Sequence, residues 1–332
     1  MTDEVRIERL GAVGRIVLDR PRALNALTLD MVAAIRDALE GWRDAGLRAV
    51  TIESASERAF SAGGDIRQVR ANSLSGAHDE SLRFFTTEYD VNALLGSHPV
   101  PVVALVGGIC MGGGMGLSVH GAFRVVAPGA SFAMPETKIG FFPDVGGSFF
   151  LPRLPGAVGR YLGLTGARAD AADALAFGIA THACSAADLA RLPELLASYD
   201  GPIEALLRTL APATAAESGP LASVRAEIDR VFTAPDLAGI LARLAELTDG
   251  PADAPVQLWA KETRAALDAA SPYSLAVTDR LLAEGRERTL RQCLDAELAA
   301  AREVIASADF VEGVRAVLVD KDHAPAWSTP VR

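Results

Sequence analysis

Two carboxylates and two glycine-rich loops are the residues whose types and spacing can do chemistry. Glu136 stands in PETKIG and Asp144 in FFPDVGG, eight residues apart, with Gly140 and Pro143 between them. A glycine and a proline in the interval place the two acids on a turn, not on one helical face. Carboxylates set among Phe141, Phe142 and Val145 are poor candidates for solvated surface charges. The loops are Ala59–Asp65 (AFSAGGD) and the cluster Gly107–Gly116, which holds the triplet Gly112-Gly113-Gly114. Lacking a Cβ, glycine lets its N–H approach a ligand closely. Two such donors can hold a carbonyl oxygen as it gains negative charge, contributing on the order of 3 kcal/mol each. One carboxylate can then act as base or nucleophile while the other handles a proton or a water. Acyl chemistry needs such a set. Each member also has a structural reading: a strand-to-helix turn for Ala59–Asp65, close helix–sheet packing for the triplet, a cap or ion-pair partner for Glu136, and a turn residue after proline for Asp144.

Other chemistries find less support. The 332 residues carry 32 Lys plus Arg against 42 Asp plus Glu, a net charge of -10, which argues against non-specific nucleic-acid binding. There is no GxxxxGK[ST], no HExxH and no GxSxG, and the glycine cluster makes a poor dinucleotide fingerprint. Ser61 and Ser148 sit in glycine loops without a sequence-local base and are not taken as nucleophiles. The histidines are scattered, and His120 is expected in the core. Cys110, Cys184 and Cys293 are far apart and odd in number, so no disulfide framework or metal site is expected, and a reducing setting fits. The opening MTDEVRIERL has neither signal nor transit character, and no run of about 18 apolar residues occurs. A cytoplasmic protein without a membrane span is the expectation.

The elements that must position these residues follow from pattern. Val5–Leu10 and Gly14–Leu18 form a hairpin turning at Gly11-Ala12. Thr28 caps a helix over Leu29–Trp42 with Met31, Ile35, Ala38 and Leu39 on its inner face. Ala49–Glu53 is a strand, Ala71–Asp79 a polar mobile loop, and Leu82–Leu95 a helix carrying Glu88. Val100–Val106 is a strand, Gly107–Gly112 a turn, and Gly113–Val119 a helix that starts at the triplet. Gly159–Leu164 and Ala169–Phe177 are helices, and Ala180–Cys184 is extended. From Ala186 onward the chain is helical, with Pro/Gly/Ala punctuation at Ala211–Pro220 and Asp249–Pro255. A boundary near residue 200 divides a core, 1–200, from a helical region, 201–332.

AFSAGGDI (59–66), GICMGGGMGL (108–117), PETKIGFFPDVGG (135–147) and DFVEGVRAVLVDKDHAPAW (309–327) together resemble the crotonase, or enoyl-CoA hydratase/isomerase, superfamily, and within it the 3-hydroxyisobutyryl-CoA hydrolase branch. The resemblance implies an α/β fold, a spiral of β-β-α turns followed by a helical C-terminal region. It implies a thioester oxygen held by the N–H groups of Gly64 and Gly113. Coenzyme A would lie along Arg22, Ala23 and Leu24 and along Ala62, Gly64, Asp65 and Ile66. Glu136 and Asp144 would be catalytic, and Glu88 would contact substrate together with Gly113, Glu136 and Asp144. Hydratases of the superfamily carry a further glutamate at the position matching Gly116, and glycine where this chain has Asp144. That exchange favours hydrolysis of a short branched 3-hydroxyacyl-CoA thioester over addition of water to a 2-enoyl-CoA. The alternatives are such a hydratase or isomerase, and a non-catalytic acyl-CoA-binding protein. The implied partner is an acyl-CoA, with no cofactor beyond the CoA of the substrate, no metal, no nucleic acid and no membrane; a homo-oligomer is left open.

Overall fold

The hairpin opens the chain as β1 (Val5–Leu10) and β2 (Val13–Leu18), paired antiparallel from Val5↔Leu18 to Leu10↔Val13. This is a computed structural model, and it describes residues 3–211, 219–248 and 254–328. Most of the punctuation at Ala211–Pro220 and Asp249–Pro255 lies outside the described residues. Helix α1 (Leu29–Gly41) starts where Thr28 accepts a hydrogen bond from Met31 N, and it buries Met31, Val32, Ile35 and Leu39.

Three similar turns follow. The first supplies β3 (Ala49–Ser54), β4 (Ala59–Ser61), α2 (Ile66–Ser75) and α3 (His78–Ser97). The second supplies β5 (Val102–Val106), β6 (Ile109–Met111) and α4 (Gly113–Val119). The third supplies β7 (Phe123–Val126), β8 (Ser131–Ala133) and a 3-10 turn at Glu136–Ile139. Each turn gives one strand to a six-stranded sheet, ordered β1-β2-β3-β5-β7-β10, and one to a four-stranded sheet, ordered β4-β6-β8-β9. The successive strands β3, β5, β7 pair in parallel, as do β4, β6, β8. Parallel neighbours need crossover connections, and the helices supply the first two. The remaining elements are α5 (Gly147–Phe150), α6 (Val158–Thr165), β9 (Ala169–Asp170), α7 (Ala171–Ala176), β10 (His182–Ala183), α8 (Ala186–Ser198) and α9 (Ile203–Thr209). From Pro220 to Val319 the described chain is mainly helical: α10 (Pro220–Ser223), α11 (Arg225–Phe232), α12 (Leu237–Leu247), α13 (Pro255–Ala269), α14 (Pro272–Gly285), α15 (Leu290–Val304) and α16 (Ala308–Val314), which runs into a π-helical turn at Arg315–Val319; residues 320–328 are irregular.

The chain packs as two compact units. The first holds the described residues of 1–65, 83–133 and 169–219, and with them both sheets. Its core joins Val13, Val103, Leu105 and Val125 of the larger sheet to Leu192, Leu196, Leu206 and Leu207 of α8 and α9. Each such side chain taken fully out of water contributes about 1.5–3 kcal/mol. The second holds the described residues of 66–82, 134–168 and 220–332. These units are drawn on different lines from the single boundary expected near residue 200. The stretch 71–79 also differs from expectation: α2 runs through Ser75 and α3 begins at His78. Ala169–Phe177 is a short strand, β9, and then the helix α7. His120 is half-buried as the C-cap of α4. Among the described residues no helix is long and apolar enough to cross a membrane.

Candidate active site

In the first unit the glycine loop 62–64 is pinned from two sides. Leu27 N donates to Gly63 O and Asp65 N to Leu27 O, at 2.8 and 2.9 Å. This bridge uses the groups flanking Gly64 and leaves the Gly64 N–H outside it. Ala62 N donates to Leu24 O at 2.9 Å, which ties the loop to Arg22-Ala23-Leu24. That segment is a 3-10 turn ending in two left-handed residues, Leu24 (φ 51) and Asn25 (φ 54). Asn25 is fully buried and explains the conformation. Its Nδ2 donates to Ser54 Oγ at 2.8 Å and Phe60 O at 2.9 Å, its Oδ1 accepts from Arg20 N at 2.8 Å, and its carbonyl accepts from Ser61 Oγ at 2.8 Å. The Asp65 carboxylate is engaged by Arg20 at 3.0 Å, and Ile66 opens α2.

The triplet comes up against this loop. A Cβ on Gly114 would meet Ser61 O at 2.6 Å, and one on Gly113 would lie 3.3 Å from Gly64 N. The space of a Gly113 Cβ is already taken by Glu88 Oε1. Glu88 is only 2% exposed. Gly64, Gly113 and Glu88, expected together from sequence, are therefore together in this unit, with a carboxylate beside two glycine amides. Gly116 lies on the buried stretch of α4 and brings no side chain.

The second unit holds the other two acids. Glu136 opens the 3-10 turn, which closes through Phe141 N to Glu136 O at 3.0 Å. The turn is caged by the C-terminal helices: Ser271 N donates to Thr137 O at 3.2 Å, and Gly140 and Gly313 each lie against opposing backbone, of Asp309 and Ile139 respectively. The buried Asp309 accepts from Ser271 Oγ at 2.6 Å and from Ser328 N at 2.8 Å. The 309–327 motif thus acts by packing behind Glu136. Glu136 is 8% exposed and Asp144 5%. Burial, and then the neighbouring Asp144 charge, hold the Glu136 carboxyl well above the usual range. Among the described residues Glu136 Oε2 has no hydrogen-bond partner, so one acid oxygen is buried and available to a ligand or water.

Sequence reasoning missed a third acid here. Glu297, on α15 and fully buried, accepts from Gly146 N at 2.8 Å, Ser148 N at 2.9 Å and Ser148 Oγ at 2.5 Å. Burial pushes its carboxyl up to about 8, opposed by the Ser148 hydroxyl and the Gly146 N–H. Its partners are about 150 positions away in sequence, and Glu297 itself stands in an Ala/Leu-rich helical stretch, so no local signal marks it.

A spiral in which each turn feeds one strand to each of two parallel ladders defines the crotonase class of fold, as the sequence led one to expect. The chain belongs to the enoyl-CoA hydratase/isomerase family, whose sequence profile matches residues 13–331. It is 41% identical over 332 residues to the mitochondrial 3-hydroxyisobutyryl-CoA hydrolase of Danio rerio, covering 98% of this chain and 85% of that one. It is 40% identical to the human protein of the same name, covering 98% and 84%. Among solved structures, one described as an enoyl-CoA hydratase from Rhodobacter sphaeroides superposes with a TM-score of 0.86 at 40% identity, covering 98% and 93%. Another, described as a carnitinyl-CoA dehydratase from Mycobacterium thermoresistibile, gives 0.87 at 35%, covering 98% and 92%. The cytoplasmic placement expected from missing signals is corrected by the Danio rerio and human hydrolases, which are mitochondrial by name. Absence of an address in the sequence was too weak a basis for it.

Proposed function

We propose that this protein hydrolyses the thioester of a short, branched 3-hydroxyacyl-CoA, 3-hydroxyisobutyryl-CoA first among them, giving the 3-hydroxy acid and CoA. The Gly64 and Gly113 N–H groups take the carbonyl oxygen as it becomes an oxyanion. Arg22–Leu24 and Ala62–Ile66 run along the CoA, and Glu88 contacts the acyl portion. Glu136 attacks the carbonyl carbon and expels the CoA thiolate, leaving a mixed anhydride that water cleaves, or it activates that water directly. Asp144 binds the 3-hydroxyl or assists proton transfer. The thiolate leaves as CoA, so only water and the thioester are consumed.

The observation that carries this reading is the buried pair Glu136 and Asp144, with one Glu136 oxygen unengaged among the described residues. The descriptions of the two solved structures favour a second reading, water addition to or removal from an acyl-CoA. Against it stands Gly116, where the resemblance expects the second glutamate of a hydratase. Thiol release measured across a panel of acyl-CoAs tests the proposal: 3-hydroxyisobutyryl-CoA should be turned over fastest, and acyl chains lacking the 3-hydroxyl much more slowly. Equal rates across the panel, or no thiol release, would overturn it.

A further inference from the structure

Asp144 sits at the head of a turn that its own sequence disfavours. Gly147 N donates to Asp144 O at 2.7 Å, with Val145 at φ 52 and Gly146 at φ 82 between them. This is the pattern of a type I′ turn, which wants glycine or asparagine at both central positions. Gly146 suits it. Val145 does not: a β-branched residue at positive φ is a genuine outlier, and Val145 is fully buried as well. Such a conformation persists only where surrounding structure over-determines it, and it concentrates at functional sites.

Glu297 is what over-determines it. Its two oxygens accept from the backbone N–H of Gly146, inside the turn, and from the backbone N–H and hydroxyl of Ser148, just past it. Two backbone N–H bonds and one hydroxyl bond converge within a three-residue span, on a carboxyl group fixed in the body of α15. The clamp begins two residues from Asp144.

We infer that Glu297 is a positioning residue for the reaction: it locks Val145 in the left-handed region and so fixes the direction in which Asp144 presents its carboxylate. This rests on the reading that Asp144 acts on the acyl group. The clamp itself does not. Nothing in the inference requires Glu297 to touch substrate.

The test combines kinetics with a local readout. Glu297→Gln keeps the shape but places an amide NH2 against at least one of the backbone donors. The expected result is a loss of kcat of about 10–100-fold with KM changed less than about threefold, and amide hydrogen exchange at Gly146 and Ser148 faster by at least about tenfold. Adding Val145→Gly, which accepts positive φ without strain, should recover about tenfold of the lost kcat in the E297Q background. It should give no such gain in the wild type. If E297Q does not fold, Ser148→Ala removes one of the three donors and should show the same pattern at about 3–10-fold. A folded E297Q with kcat within threefold of wild type overturns the inference, as does a loss of kcat with unchanged exchange at the two amides. The exchange measurement needs no substrate, so failure of the thioesterase reading would show separately, as absent thiol release from a chain whose clamp behaves as described.

Discussion

Glu88 Oε1 occupies the space that a Cβ on residue 113 would need, and the same Cβ would lie 3.3 Å from Gly64 N. Glycine at 113 is thus what allows a buried carboxylate and two loop amides to share one corner of the first unit. Gly113→Ala should displace Glu88 and crowd the Gly64 amide. Because the Glu88 carboxylate is the far end of a flexible side chain, folding should suffer by no more than about 1–2 kcal/mol. The loss should appear in kcat, by roughly 100-fold, the scale of losing one oxyanion donor. Steady-state kinetics beside a thermal melt check this; a variant with unchanged kcat would remove Gly113 from the site.

Glu136 and Asp144 should be separable from folding in the same way. Glu136→Gln and Asp144→Asn each keep side-chain volume and should lower kcat by at least about 100-fold. Circular dichroism and melting confirm that the variants fold. Activity of E136Q within tenfold of wild type would show that the acid does no chemistry.

The pH profile follows from the direction of the Glu136 shift. Its carboxyl is held well above the usual range by burial and by Asp144, and its proposed roles need the ionised form. The rate should therefore fall as pH drops, on an acid limb lying well above the range of an ordinary glutamate. Measuring kcat/KM from pH 5 upward checks it. A profile flat down to pH 5 would contradict it.

Glu297 gives a prediction about stability instead. Its folded-state carboxyl lies at about 8 against 4.5 for an unperturbed glutamate. The folded state then holds a proton that the unfolded state releases. The associated stability is fully present below about 4.5 and is lost as pH rises toward about 8. The loss is on the order of 2–5 kcal/mol. Denaturant melts of wild type and E297Q between pH 5 and 8.5 test the sign: the wild type should lose stability relative to the variant as pH rises, and the reverse trend would refute it.

Asn25 holds the loop beside Gly64 through both ends of its amide and its backbone carbonyl. Asn25→Ala would leave Arg20 N and Phe60 O without this partner in a buried place and should destabilise by about 2–4 kcal/mol. It should also raise KM for acyl-CoA through Arg22–Leu24. Chemical denaturation and KM together check this; a loss of stability alone would detach that loop from CoA.

Much of the spiral was legible because its signals are local. The hairpin, the Thr28 cap and the helix start at Gly113 each follow from a few adjacent residues. The stretch 71–79 was not, because α2 buries only Val69 and is otherwise polar, held by bonds such as Gln68 to Asn72 at 2.9 Å. A helix without an apolar stripe leaves no periodic trace. The three residues of β6 were hidden in a glycine run, where turn and strand look alike. Glu136 and Asp144 were visible as acids among aromatics. Glu297 was not, since its meaning lies entirely in partners from a distant segment.

One preparation assayed on two substrates tests the central claim most directly: thiol release from 3-hydroxyisobutyryl-CoA and hydration of crotonyl-CoA, followed side by side. With Asp144 present and no acid at Gly116, thiol release should be rapid and hydration slower by at least about 100-fold. Rapid hydration of crotonyl-CoA without thiol release would contradict the account.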